Sequence, residues 1–210
     1  ELSLELLEKE KNKEKILLTL VDKVESINDD KILRCFIEVI KNILRCNLYI
    51  KPKKDCISFK VNSKNISFMV EPKPLYEIFV HSYKLKGIHL RAGKIARGGI
   101  RLSDRIDDFR FEILGLMRTQ IIKNAIIVPT GAKGGFVLEK SDFDSAHEYR
   151  KFISGLLDIT DNYVRGKVKH PKNVVFYDDN DPYLVVAADK GTASFSDIAN
   201  EISNKYNFWL

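Results

Sequence analysis

The spacing of apolar residues first changes near residue 47 of this 210-residue chain, and that change restricts the folds open to it. Before it the period is helical. Glu1–Ile27 reads as a charged helix with an apolar stripe late in it, at Leu17, Leu18, Leu20, Val21 and Val24. Asp29 and Asp30 offer a cap for a second helix. There Ile32, Leu33, Phe36, Val39, Ile40, Ile43 and Leu44 recur at the i, i+3, i+4, i+7 spacing. The pair predicts an N-terminal helical hairpin over residues 1–47 whose apolar face needs a partner.

From Leu48 to His89 the period shortens toward two, which predicts strands at Leu48–Ile50, Ile57–Val61, Ile66–Val70, Tyr76–Ser82 and Gly87–Leu90. Pro52, Asn62-Ser63 and Pro72–Pro74 punctuate them. Helical and extended patterns then alternate. Helices are expected at Asp107–Asn124, Ser145–Val164 and Ser196–Tyr206, a short buried strand at Ala125–Val128, and further strands at Phe136–Leu138, Val174–Tyr177 and Leu184–Ala187. A meander succeeded by such alternation predicts an α/β domain over residues 48–210, with a mixed sheet and flanking helices.

Composition removes several classes of function. The 35 basic and 29 acidic residues leave a charge of +6, but the lysines are spread along the whole chain. A nucleic-acid surface would gather them into a stripe, so no nucleic-acid partner is expected. No apolar run approaches a membrane span and no signal peptide is visible, so no membrane partner is expected either. Cys35, Cys46 and Cys56 are odd in number and form no CxxC pair, which predicts buried free thiols and a cytoplasmic location. The chain starts at Glu1 within a helical pattern and stops on Tyr206-Asn207-Phe208-Trp209-Leu210. These ends predict an excerpt of a longer polypeptide, with Phe208 and Trp209 packing on residues beyond Leu210.

The chemistry is concentrated between Arg97 and Phe136, where cations stand beside glycine pairs at both ends of one predicted helix. Arg97 precedes Gly98-Gly99, Lys123 closes the helix, and Lys133 sits within Gly131-Ala132-Lys133-Gly134-Gly135. Glycine lets a backbone approach a ligand, and lysine or arginine supplies charge for a carboxylate or phosphate. Gln120 and Lys123, at i and i+3, share a helix face and could grip a carboxylate. On spacing alone, Lys123 serves the helix C-terminus better. Burial and neighbouring cations would disfavour the charged form of Lys133, as suits a general acid–base group, while a solvated loop lysine stays open. The glycine loop is not a P-loop, since Gly134 follows the lysine. Asp189 ends the run Val185-Val186-Ala187-Ala188, where α/β proteins place ligands; it could shuttle a proton beside Lys133, or serve as a cap or turn residue. Asp178-Asp179-Asn180-Asp181 lacks the spacing of a calcium loop and reads as a polar turn before Pro182, so no metal is expected.

Taken in order, ARGGIR, MRTQIIKNAIIVPTGAKGG and VVAADKGTASFSDIAN resemble the amino-acid dehydrogenases of the glutamate dehydrogenase type. They are most similar to the large NAD-specific bacterial glutamate dehydrogenases, over about Leu75 to Leu210. The resemblance implies an amino-acid-dehydrogenase-type substrate domain, with Lys133 and Asp189 as catalytic residues. It implies Arg97, in place of the family's lysine, on the distal carboxylate of glutamate, and Gln120 and Lys123 on the α-carboxylate. Two departures stand out: Thr130-Gly131-Ala132-Lys133 replaces the common Gly-Gly-Ala-Lys, and the link from Lys123 to Lys133 is short. The implied reaction is oxidative deamination, in which hydride leaves Cα of glutamate for NAD, a water adds to the iminium with help from Lys133, and Asp189 moves protons at the nitrogen. The implied partners are glutamate or 2-oxoglutarate and, in the intact enzyme, further copies of itself. No G-x-G-x-x-G follows a strand, so NAD is expected to be bound mainly by a domain that this chain lacks. The other reading is a non-catalytic dicarboxylate-binding module or an inactive remnant.

Overall fold

The computed structural model describes residues 13–123 and 126–210. The chain divides into two compact units, Glu1–Asn42 and Ile43–Leu210. In the first, helix α1 covers residues 13–21 and helix α2 covers Ile27–Lys41. Residues 1–12 of the expected first helix lie outside the described residues. Ser26, not the Asp29-Asp30 pair, caps α2: its side chain accepts from the Asp29 N–H at 3.3 Å, and the two aspartates occupy the first turn. The helix stops before Ile43 and Leu44, which the apolar pattern assigns to its stripe.

Those two residues open the second unit as strand β1, Ile43–Cys46. The strand expected at Leu48–Ile50 is a turn instead. Asn47 makes it so: its side chain accepts from Ser58 N–H at 2.8 Å and donates to Cys56 O at 3.0 Å, ending β1 and leaving Leu48 and Tyr49 exposed. Strands β2 (Ile57–Asn62), β3 (Tyr76–His81) and β4 (Leu85–Arg91) continue the antiparallel meander. Ile66–Val70 is not a strand. It leaves a short 3-10 turn at Ser63–Asn65, with Ile66 buried as a plug and its carbonyl held by the Lys73 ammonium at 2.7 Å.

Strand β5 (Ala96–Leu102), helix α3 (Phe109–Lys123) and strand β6 (Thr130–Leu138) come next. Both glycine clusters are therefore strand, not loop. Ile126, Ile127 and Val128 lie before the sheet begins and are exposed, Ile126 at 97%, so the expected buried strand there is absent. Helix α4 is Ser145–Asp158, capped by Asp144, and is shorter than its pattern. Asn162–Val164 is instead β7, paired with β8 (Lys167–Lys169) around Arg165-Gly166, both at positive φ as a tight hairpin turn requires. Strand β9 (Val175–Phe176), strand β10 (Val185–Ala188) and helix α5 (Ser196–Lys205) complete the unit.

Eight strands form one mixed sheet in the order β10-β5-β6-β4-β3-β2-β1-β9, with β10, β5 and β6 parallel and the rest of the ladder antiparallel. The architecture is α/β. On one face Ile78, Val80, Leu85, Ile100 and Phe136 pack with Tyr149, Phe152, Ile153 and Leu156 of α4, and with Ile202 of α5. Each such side chain contributes about 1.5–3 kcal/mol on burial. On the other face α3 sets Ile113, Leu114 and Met117 against Ile88 and Leu90. The helix lies so close that a Cβ on Gly135 would stand 2.2 Å from Ile113 Cδ1. Phe208 packs against the first core, and Trp209 donates to Pro182 O at 2.7 Å and meets Tyr163 edge-on, so both find partners within the chain.

The acidic turn Asp178–Asp181 has a structural role. Arg45, Lys60 and Arg91 project from β1, β2 and β4 into the interior. Arg45 forms a two-point pair with Asp161, both side chains fully buried, and reaches Asp178 at 2.6 Å. Lys60 bridges Asp178 and Asp181, and Arg91 holds Asp181 through both of its carboxylate oxygens. Burial pushes the Asp181 carboxyl up, but Arg91 and Lys60 outweigh it and hold it down at about 2. Cys56 is buried, whereas Cys35 and Cys46 are partly exposed; all three are free.

Candidate active site

Strand alternation places Arg97, Gly99 and Arg101 of β5 on the sheet face that α3 covers, beside Lys133 of β6. The β5–β6 ladder pairs Arg97 with Gly131 and Ile100 with Gly134 but skips the two glycines between. At Gly98 a Cβ would fall 1.6 Å from the Ala132 carbonyl oxygen. At Gly99 it would lie 3.0 Å from Cβ of Asp189 and 3.4 Å from the Lys133 ammonium. Gly99 thus clears the space in which Lys133 and Asp189 meet, and Gly98 lets β5 pass the Ala132 carbonyl. Their contact is 2.5 Å, from Nζ to Oδ2, with side-chain exposures of 11% and 22%.

Asp189 owes its place to the turn at the end of β10. Its N–H donates to Thr192 Oγ1 at 3.0 Å and its carbonyl accepts from Thr192 N–H at 3.1 Å. Thr192 Oγ1 also donates to Ile100 O at 2.6 Å, which ties the turn to β5. Gly191 provides the left-handed residue, at φ +80. Asp189 is therefore a turn residue through its backbone and a Lys133 partner through its side chain. Burial pushes its carboxyl up, but Lys133, the Lys190 backbone N–H and Arg101 prevail and hold it below the usual value. The nearest charge to Lys133 is thus a carboxylate, not the cations expected from sequence.

Arg101 is not among the expected site residues. Its Nε lies 3.2 Å from Asp189 Oδ2, and its Nη1 lies 2.8 Å from Glu112 Oε1 in the first turn of α3. Glu112 also accepts from Ser103 Oγ at 2.6 Å. The signal for it is the spacing of Arg97, Gly99 and Arg101, legible only once the glycine-rich segment is taken as a strand.

Among the described residues, Gln120, Arg97 and Lys123 form no hydrogen bond or ion pair with Lys133 or Asp189. Gln120 is half-buried; its Oε1 lies 3.0 Å from the Cβ position of Gly98 and has no hydrogen-bond partner. A buried amide oxygen left unpaired is costly, and a ligand is one way to satisfy it. Gly131 brings β6 against the same turn of α3, its Cβ position lying 3.2 Å from Gln120 Cβ. Arg97 and Lys123 are both exposed, the first on β5 and the second at the last residue of α3. A cavity of about 720 Å³ lined by Asn162, Arg165, Lys169 and His170, among others, includes none of the expected site residues.

The family described as bacterial NAD-glutamate dehydrogenase, catalytic domain, matches residues 16–210. This chain belongs to that family. It is 53% identical to the NAD-specific glutamate dehydrogenase of Halomonas elongata over 92% of its own length. It is 51% identical to the enzyme of that name from Pseudomonas aeruginosa over 98% of its length, and 46% identical to that of Mycobacterium tuberculosis over 90%. The match spans only 13% to 14% of the length of these three relatives.

Proposed function

We propose that this chain is the substrate-binding and catalytic part of an NAD-dependent glutamate dehydrogenase, which converts L-glutamate to 2-oxoglutarate and ammonia. The single observation that carries the reading is the 2.5 Å contact between Lys133 and Asp189 on a face that also bears Arg97 and Arg101. Arg97 takes the distal carboxylate, and the Gln120 amide nitrogen, as donor, with Lys123 takes the α-carboxylate, so the substrate is held by both ends and Cα faces Lys133. The Asp189 carboxylate accepts a proton from the substrate ammonium. After Cα has been oxidised, Lys133 in its neutral amine form, its ammonium proton having passed to solvent, accepts the proton of the water that adds to that carbon, and Asp189 returns a proton to the departing nitrogen.

The nicotinamide supplies the hydride acceptor, but the described residues do not build a dinucleotide cradle. The links after β5 and β6, Ser103–Asp108 and Glu139–Asp144, contain no glycine, and the turn after β10 has only Gly191. The dinucleotide site is accordingly assigned to another part of the polypeptide. The same reading makes residues 43–210 a substrate domain of the amino-acid-dehydrogenase type and α1 and α2 a helical hairpin before it. It makes the enzyme a cytoplasmic homo-oligomer. Among the described residues no helix is long and apolar enough to cross a membrane.

Glutamate-dependent NAD reduction by a polypeptide carrying these residues together with a dinucleotide domain tests the reading. Turnover is expected with glutamate and not with alanine, which lacks the distal carboxylate. Equal turnover of the two would overturn the assigned substrate.

A further inference from the structure

The site contains two charged groups that the proposed reaction does not use, Arg101 and Glu112. Arg101 is four-fifths buried and is shared between two carboxylates on opposite sides, Glu112 of α3 and Asp189 of the β10 turn. Its guanidinium meets the same oxygen of Asp189, Oδ2, that receives the Lys133 ammonium. Ser103 Oγ secures Glu112 from the far side at 2.6 Å. The result is an alternating row, Lys133, Asp189, Arg101, Glu112, with two charges of each sign.

We propose that Arg101, braced by Glu112 and Ser103, is a positioning residue that fixes one oxygen of Asp189 and holds that carboxylate aimed at the substrate nitrogen. The proposal rests on the reading of Lys133 and Asp189 as the acid–base pair. Both cations draw on Oδ2, so rotation of the carboxylate is resisted from two directions. An arginine fork can hold Glu112 through one nitrogen and Asp189 through another, which a lysine cannot do with the same geometry. Glu112 offsets the charge that Arg101 does not spend on Asp189. The groups facing Asp189 are then Lys133 from β6, Arg101 from β5 and the Lys190 N–H of its own turn, and all three favour its ionised form.

The test is steady-state kinetics against pH on the full polypeptide, comparing wild type with Arg101→Gln, Arg101→Lys, Glu112→Gln and Asp189→Asn. Arg101→Gln is expected to lower kcat by about 10- to 100-fold through loss of alignment, with KM for glutamate within about threefold. Its acid limb of kcat should move to higher pH, because a cation that holds the Asp189 carboxyl down has gone. Arg101→Lys should recover part of kcat, and Glu112→Gln, which keeps the cation, should not raise the acid limb. Thermal melting of each variant separates these effects from a general loss of fold, which moves no pH limb. An unchanged kcat and acid limb in Arg101→Gln would overturn the proposal. So would a raised KM with intact kcat, which would make Arg101 a substrate-binding group. If Asp189→Asn loses turnover while Arg101→Gln does not, only the positioning role fails; if Asp189→Asn turns over normally, the acid–base reading fails and this proposal with it.

Discussion

Lys133 and Asp189 touch at 2.5 Å although a whole strand, β5, stands between β6, which carries the lysine, and β10, which leads into the aspartate. The contact crosses β5 at Gly99, where any side chain would come within 3.0 Å of Asp189 and 3.4 Å of the Lys133 ammonium. Gly99 is what lets Lys133 of β6 meet Asp189 of the β10 turn, the proposed acid–base pair.

Gly98→Ala and Gly99→Ala should therefore fail differently. A methyl at position 98 meets backbone, the Ala132 carbonyl at 1.6 Å, and should cost about 1–3 kcal/mol or more of stability by overpacking. A methyl at position 99 meets Asp189 Cβ at 3.0 Å, the Ala188 carbonyl oxygen at 3.2 Å and the Lys133 ammonium at 3.4 Å, a milder crowding that shifts of a few tenths of an ångström relieve. It should leave the melting temperature closer to wild type and lower kcat by about tenfold or more by parting the pair. Thermal melting and kcat on both variants check the contrast.

Arg97→Ala should affect binding and little else. The side chain is exposed, so stability should stay within about 0.5 kcal/mol. Losing a charged hydrogen bond to the distal carboxylate is worth about 1.5–3 kcal/mol, which corresponds to a rise in KM for glutamate of roughly 10- to 150-fold. Steady-state KM and kcat measure it.

His89 is fully buried, both ring nitrogens lack partners, and burial pushes its pKa down from 6.5 to about 3. Its folded value lies below its unfolded one, so its contribution to stability is complete above pH 6.5 and is lost as pH falls toward 3. The slope approaches about 1.4 kcal/mol per pH unit. Asp181, held at about 2, adds a second loss of the same sign at lower pH. Urea unfolding between pH 7 and pH 4 should show the decline, and His89→Leu should flatten it.

Arg45→Met should be among the most damaging substitutions outside the site. It strips the cation from Asp161, whose side chain is fully buried, and from Asp178. Breaking one side of a buried pair costs about 3–5 kcal/mol. Chemical denaturation reads the loss directly.

Part of this structure is legible in the sequence. Helices α4 and α5 and strand β3 show apolar periodicity, because one face of each meets the core. Strands β5 and β6 do not, because Gly98, Gly99, Gly131, Gly134 and Gly135 carry no side chain to mark a face. Strand β1 is obscured for the opposite reason: Arg45, and Lys60 opposite it on β2, are charges turned inward, and only the distant Asp161, Asp178 and Asp181 make that tolerable. Within the site, the roles of Lys133 and Asp189 come through the family resemblance. Arg101 and Glu112 stay hidden because their value lies in a contact between a strand and a helix, which spacing along one element does not display.

The most direct test is Lys133→Ala in the full polypeptide, with glutamate binding and NAD reduction measured on the same preparation. Glutamate affinity should stay within a few-fold of wild type while turnover falls by about 10²–10⁴-fold, the range for loss of a general acid–base group. Near-normal turnover in that variant would contradict the assignment of Lys133 as the reacting base.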